Sequence, residues 1–253
     1  MRLAPRLAGL LLALACLPGL ARAAALPDLI DAVRPAVVGV GTHDPLGAPR
    51  FTLGATGFVV GDGRTVVTNA HVIESVQKKE GELQLVVFVG RGKTPSVRGA
   101  TVLKSDPEHD LAVLRIEGDP VKALPLAPAT PAREGTEVIF TGFPIGGVLG
   151  LYPVTHRGIV SSIVPIAIPL GTTQGLTAEK IRRLRDPYEI YQLDATAYPG
   201  NSGSPVVERD TGQVIGVVNS VLVKQTRENV LKDPSAITYA IPVRFLHPLL
   251  AKP

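Results

Sequence analysis

Cysteine is almost absent from the 253-residue chain, which has only Cys16. That residue lies in a leading segment where Arg2 and Arg6 precede the apolar run Leu7 to Leu17, followed by Pro18, Gly19 and Ala21-Arg22-Ala23. This order is that of an export signal spanning 1–23 and cleaved near Ala23, so the expected location is periplasmic or secreted. The mature chain would then have no thiol, disulfide or thiolate-bound metal, and would depend on packing for stability. A lipid anchor on Cys16 is the weaker reading, because Ala13 stands where such signals usually carry Leu. Also missing is a charge-free apolar run of the roughly 20 residues that cross a bilayer, so no stable membrane span is expected. The positive charge is small as well. Removing Arg2, Arg6 and Arg22 from the 26 basic residues leaves 23 against 22 acidic ones. No nucleic-acid partner is expected, and the one basic cluster, Lys180 to Arg185, reads as a solvated helix face.

What the chain does contain is turn residues and short β-branched runs. Its 26 glycines and 23 prolines are spread without a repeat, which indicates many turns and not disorder. Strand-length runs rich in Val, Ile and Thr occur at Ala36 to Thr42, Gly57 to Val60, Thr65 to Asn69, Gln84 to Gly90, Val97 to Lys104 and Leu111 to Ile116. A second set follows at Glu137 to Gly142, Gly158 to Val164, Ile190 to Ala195, Ser204 to Glu208, Gln213 to Val221 and Ile237 to Ile241. Between the sets, the stretch Leu124 to Gly135 has three prolines and reads as a linker. The pattern predicts an all-β fold of two six-stranded halves, about 34–123 and about 136–242. Helix signals are few: Leu29 to Val33, a turn or two from His71, Thr177 to Arg185, and a terminal piece at about 243–250.

Gly200-Asn201-Ser202-Gly203-Ser204-Pro205 is a glycine-bracketed turn between two of these strands. Taken alone it could be structural, but its glycines can aim successive amides inward. The Gly200-Asn201-Ser202 backbone, through the amides of Gly200 and Ser202, could then bind an oxyanion beside the Ser202 hydroxyl. A serine hydroxyl is a weak nucleophile and needs a base, and the base needs an acceptor that fixes its tautomer. His71 lies at the end of the run Thr65 to Asn69, and Asp110 immediately precedes Leu111 to Ile116. The order His, Asp, Ser across both halves suits a cleft between two barrels. His43, His156 and His247 lack that setting. His109 is next to Asp110, and strand alternation would turn it to solvent.

Thr68 to Ile73, His109 to Ile116 and Pro199 to Pro205 resemble the three active-site blocks of trypsin-like serine proteases of the HtrA (DegP-like) group. Gly54 to Val60, Thr141 to Pro144, Gly158 to Ser161, Val214 to Val217 and Tyr239 to Pro242 match in the same order. The resemblance implies two six-stranded antiparallel barrels and hydrolysis of peptide bonds in protein or peptide substrates without cofactor or metal. His71, Asp110 and Ser202 would form the triad. It also places Thr196, Ala197 and Tyr198 along the substrate-binding wall, where small or medium apolar P1 residues are expected.

The sequence departs from the group in three places. Ser204 replaces a usual glycine and could tighten the turn or donate a hydrogen bond. The peptide-binding PDZ domain common in these relatives is expected to be absent. The stretch Val164 to Tyr191 is long, and suits either a lid or an extra surface hairpin and helix. The oligomeric state is not legible. The competing functions are a non-catalytic protease-fold chaperone or binding module, and a nucleic-acid binder using Lys180 to Arg185.

Overall fold

A computed structural model of the chain describes residues 25–77, 83–145, 150–166, 187–219 and 237–251. The leading 1–23 segment, the Lys180 to Arg185 cluster, the helix expected at Thr177 to Arg185 and most of the long stretch Val164 to Tyr191 lie outside these residues.

The chain opens with helix α1 (Leu26–Val33), with Pro27 in its first turn, and a short 3-10 turn (Arg34–Ala36). The first half then supplies β1 (Val37–His43), β2 (Phe51–Val60), β3 (Thr65–Thr68), helix α2 (Ala70–Gln77), β4 (Gln84–Val89), β5 (Ser96–Asp106) and β6 (Leu111–Ile116). The second half supplies β7 (Glu137–Gly142), β8 (Val154–Pro165), β9 (Glu189–Asp194), β10 (Pro205–Glu208), β11 (Val214–Asn219) and β12 (Ile237–Pro242). A 3-10 turn (Val243–Phe245) and helix α3 (Leu246–Ala251) end the described chain. Each half closes on itself, in the orders β1-β2-β3-β6-β5-β4 and β10-β11-β12-β9-β8-β7, with antiparallel neighbours.

Side-chain alternation explains why several strands read as continuous apolar runs. Val38, Val40, Val59, Val66, Ala112, Leu114 and Ile116 pack together inside the first barrel. Their neighbours Val37, Phe58, Val60, Val67, Leu111 and Val113 point the other way and join the core that fills the second barrel. These strands are therefore buried on both faces, one in the barrel and one at the seam. Each such Val, Leu, Ile or Phe contributes about 1.5–3 kcal/mol of burial free energy.

The proline-rich connector is strapped to both barrels. Leu124 N–H donates to Val59 O (2.8 Å), Ala127 N–H to Val214 O (2.9 Å), and Val214 N–H to Pro125 O (2.9 Å). The fully buried Tyr191 accepts from Ala132 N–H at 2.9 Å, and His247 Nε2 lies 2.8 Å from Ala127 O. Pro cannot donate, so the neighbouring non-proline amides carry these ties.

Candidate active site

His71 is the second residue of α2, and the first N–H groups of a helix have no partner within it. Asp110 supplies one from 39 residues away, its Oδ1 accepting from His71 N–H at 2.8 Å. Its Oδ2 accepts from the imidazole Nδ1 at 2.7 Å. An ionised carboxylate only accepts, so Nδ1 carries the hydrogen and Nε2 keeps its lone pair. The His71 side chain is 30% exposed and that of Asp110 17%, which leaves the imidazole open to the cleft while its partner is mostly enclosed.

Asp110 is held in turn by two asparagine side chains. Asn219 Nδ2 donates to its Oδ2 at 2.7 Å, and Asn69 Nδ2 donates to its main-chain oxygen at 2.9 Å. Its backbone takes the left-handed conformation, φ 53°, which Asp tolerates better than most residues. That conformation closes the turn 107–110 ahead of β6. Asn219 ends β11, so a residue of the second barrel reaches into the first to fix the carboxylate.

The turn carrying Ser202 is anchored next to Asn219. Gly203 N–H donates to Val218 O (3.0 Å) and Val218 N–H to Ser204 O (2.9 Å), which ties the turn to the strand whose next residue holds Asp110. Ser202 is nearly buried, and its main-chain oxygen accepts from Thr56 N–H at 2.9 Å. Gly200 and Gly203 have φ of 99° and 84°, and a Cβ on Gly203 would stand 2.0 Å from Thr56 O. Glycine is required there on both counts. Asn201 N–H closes the turn on Tyr198 O (3.0 Å). It is therefore unavailable to an oxyanion, which narrows the predicted set of Gly200, Asn201 and Ser202 to the amides of Gly200 and Ser202.

Of the two roles open to Ser204, tightening the turn or donating a hydrogen bond, the second is not seen among the described residues. Ser204 is fully buried, and its Oγ has no partner among the described residues. A Cβ on Gly142 would meet that Oγ at 2.1 Å, so the hydroxyl occupies room that Gly142 leaves. His109 departs from expectation too. Residues 107–110 form a turn and not a strand, so the alternation that would expose His109 does not apply. Its ring stacks on Phe245 (4.1 Å between centroids), leans on Tyr188 (4.7 Å), and Nδ1 meets Asp106 Oδ2 at 2.7 Å.

The other histidines are engaged elsewhere. His43 bonds Gln84 and stacks on Phe51, and His247 bonds the connector. Of the residues expected along a substrate wall, Ala197 is packed in the second barrel's core, Thr196 is half-buried, and the Tyr198 ring lies 6.3 Å from that of His156. Thr238 Oγ1 donates to Ala195 O, one residue before these three, at 2.5 Å. Sequence reasoning gave no role to Thr56, Asn69, Asn219 or Thr238. Asn69 and Thr56 lie inside blocks that carry the resemblance, and that was the only available signal for them.

His156 stacks on Phe140, and burial holds its pKa below the usual histidine value. The unfolded chain takes up a proton there that the folded chain resists, so stability falls as pH drops below about 6.5, the unperturbed value. Melting temperatures measured from pH 8 to 5 should show this loss, and His156→Phe should flatten it. The lowered carboxyl groups of Asp62 and Glu137 act only at more acidic pH.

A family model described as "Trypsin-like peptidase domain" matches residues 55–217. The chain is 33% identical over 228 residues to the mitochondrial serine protease HTRA2 of Bos taurus, covering 87% of this chain and 42% of that protein. It is 32% identical over 190 residues to the serine protease Do-like HtrB of Bacillus subtilis, covering 75% of this chain and 35% of that protein. It therefore spans less than half the length of these curated relatives. Among solved structures, the serine endoprotease from Yersinia pestis superposes with a TM-score of 0.61 at 23% identity, over 90% of this chain and 65% of that one. Deg5 gives 0.61 at 24%, over 88% and 90%. The match of the family model to residues 55–217, borne by two closed six-stranded barrels, places the chain in the trypsin-like peptidase family, among relatives of the HtrA kind.

Proposed function

We propose that the protein is an exported serine endopeptidase acting on unfolded or exported proteins, with Ser202 as nucleophile. The observation that carries this reading is the convergence on Asp110: His71 and Asn219, from the two barrels, both donate to its carboxylate. Asp110 fixes the His71 tautomer, which leaves Nε2 as the base. Ser202 Oγ loses its proton to His71 as it attacks the substrate carbonyl. The Gly200 and Ser202 amides receive the developing oxyanion. His71 then protonates the leaving amine, and water repeats the sequence to release the acyl group. The residues 1–23 direct export. Thr196 and Ala197 offer no charge at the substrate wall, which favours small apolar P1 side chains such as Ala or Val.

The direct test is incubation of the purified protein with a fluorophosphonate probe and, separately, with casein. Covalent labelling on the peptide containing Ser202, together with casein cleavage, is the expected result. Absence of both would leave the non-catalytic chaperone as the better reading.

A further inference from the structure

We propose that Thr56, on β2 of the first barrel, is the positioning residue that sets the oxyanion hole of the second. The inference rests on the serine endopeptidase reading. Each carbonyl from 199 to 202 has a partner. Pro199 O accepts from Ile145 N–H (2.6 Å), Gly200 O from Thr56 Oγ1 (2.7 Å), Asn201 O from Ser204 N–H (3.0 Å), and Ser202 O from Thr56 N–H (2.9 Å). In a trans peptide the N–H points opposite to the carbonyl. Fixing the carbonyls of Pro199 and Asn201 therefore fixes where the amides of Gly200 and Ser202 point. The Gly200 N–H makes no hydrogen bond among the described residues, as an amide reserved for a transient anion requires.

Thr56 supplies the two bonds on the peptides that alternate with those carrying the Gly200 and Ser202 amides, and its hydroxyl connects to a third, the one on Pro199 O. Oγ1 donates to Gly200 O and accepts from Phe143 N–H at 3.0 Å. Phe143 begins the turn whose Ile145 N–H holds Pro199 O. Ile145 is in the left-handed region, φ 60°, where a β-branched side chain is strained. Such strain persists only where surrounding bonds over-determine it, and it concentrates at functional sites. One fully buried hydroxyl thus connects the nucleophile turn to the strained turn that aims the 199–200 peptide. Thr68 Oγ1 donates to Thr56 O at 2.8 Å, so the rivet is itself held from β3. A hydroxyl is needed because it both donates and accepts, which valine of the same shape does neither of.

The test compares Thr56→Val, Thr56→Ser and Ser202→Ala on a peptide substrate. Thr56→Val is expected to lower kcat about 10- to 100-fold while KM stays within about twofold, since the amides act on the transition state. Inhibition by a peptide aldehyde, whose adduct uses the same amides, should weaken in parallel. Thr56→Ser should restore both. The downfield proton resonance of His71 Nδ1–H should remain in Thr56→Val, showing an intact His–Asp pair. If Thr56→Val does not fold, Thr56→Cys, which keeps a weak donor, supplies the comparison. Unchanged kcat, or a change in KM alone, overturns the positioning role while an inactive Ser202→Ala leaves the enzyme reading standing. An active Ser202→Ala overturns the enzyme reading itself.

Discussion

Ser202→Ala is expected to lower kcat for peptide hydrolysis about 10⁶-fold without unfolding the protein. The change removes a single oxygen. Ser202 O accepts from Thr56 N–H, and the neighbouring residues 201, 203 and 204 bond through their backbones, so these ties of the turn do not use the removed oxygen. The turn should keep its form, and the residual rate should be that of water attack in a site that still offers its amides and binding contacts. Melting temperature within a few degrees of wild type, with fluorophosphonate labelling abolished, is the accompanying signature. Full casein hydrolysis by Ser202→Ala would remove the serine from the mechanism.

Asp110→Asn should lower kcat about 10⁴-fold. The reason lies in the donors that surround the carboxylate. Oδ1 faces the His71 N–H, and Oδ2 faces both His71 Nδ1 and Asn219 Nδ2. An asparagine has one accepting oxygen and one NH₂ group, and the NH₂ must point at a donor in either orientation. If it meets the imidazole, Nδ1 has to become the acceptor and Nε2 the hydrogen carrier, and the base is lost. If it meets the helix amide, the start of α2 is pushed away and the ring moves with it. The test is a pH–rate profile: wild type should show the histidine ionisation in kcat/KM, and Asp110→Asn should recover part of its activity only at high pH. A neutral pH rate within tenfold of wild type would mean that Asp110 does not set the tautomer.

Much of the architecture was legible because it is written locally. The twelve runs rich in β-branched residues, the proline connector and the glycine turn each announce themselves within ten residues. Leu111–Ile116 and Glu137–Gly142 were bounded correctly, since turn residues flank both. β2 and β8 begin earlier than their apolar patterns suggest, at Phe51 and Val154. Their first residues are mixed in polarity and are kept extended by pairing with β1 and β7. Strand alternation does not hold at His109, because residues 107–110 are a turn. Thr56 and Asn219 could not be read from pattern at all. Their partners lie 144 and 109 residues away, and the periodicity of a strand says nothing about what its far end will touch.

The straps on the connector bear on how freely the two barrels can move apart. Leu124 continues the edge of Val60 and Leu126 that of Val214, each as a parallel bridge. Together with the Thr56 bonds to the 200–202 turn, they tie the two barrels to each other both through the connector and across the seam. Opening the seam would break these bonds, so for the proposed endopeptidase an extended segment is expected to enter more readily than one locked in a compact domain.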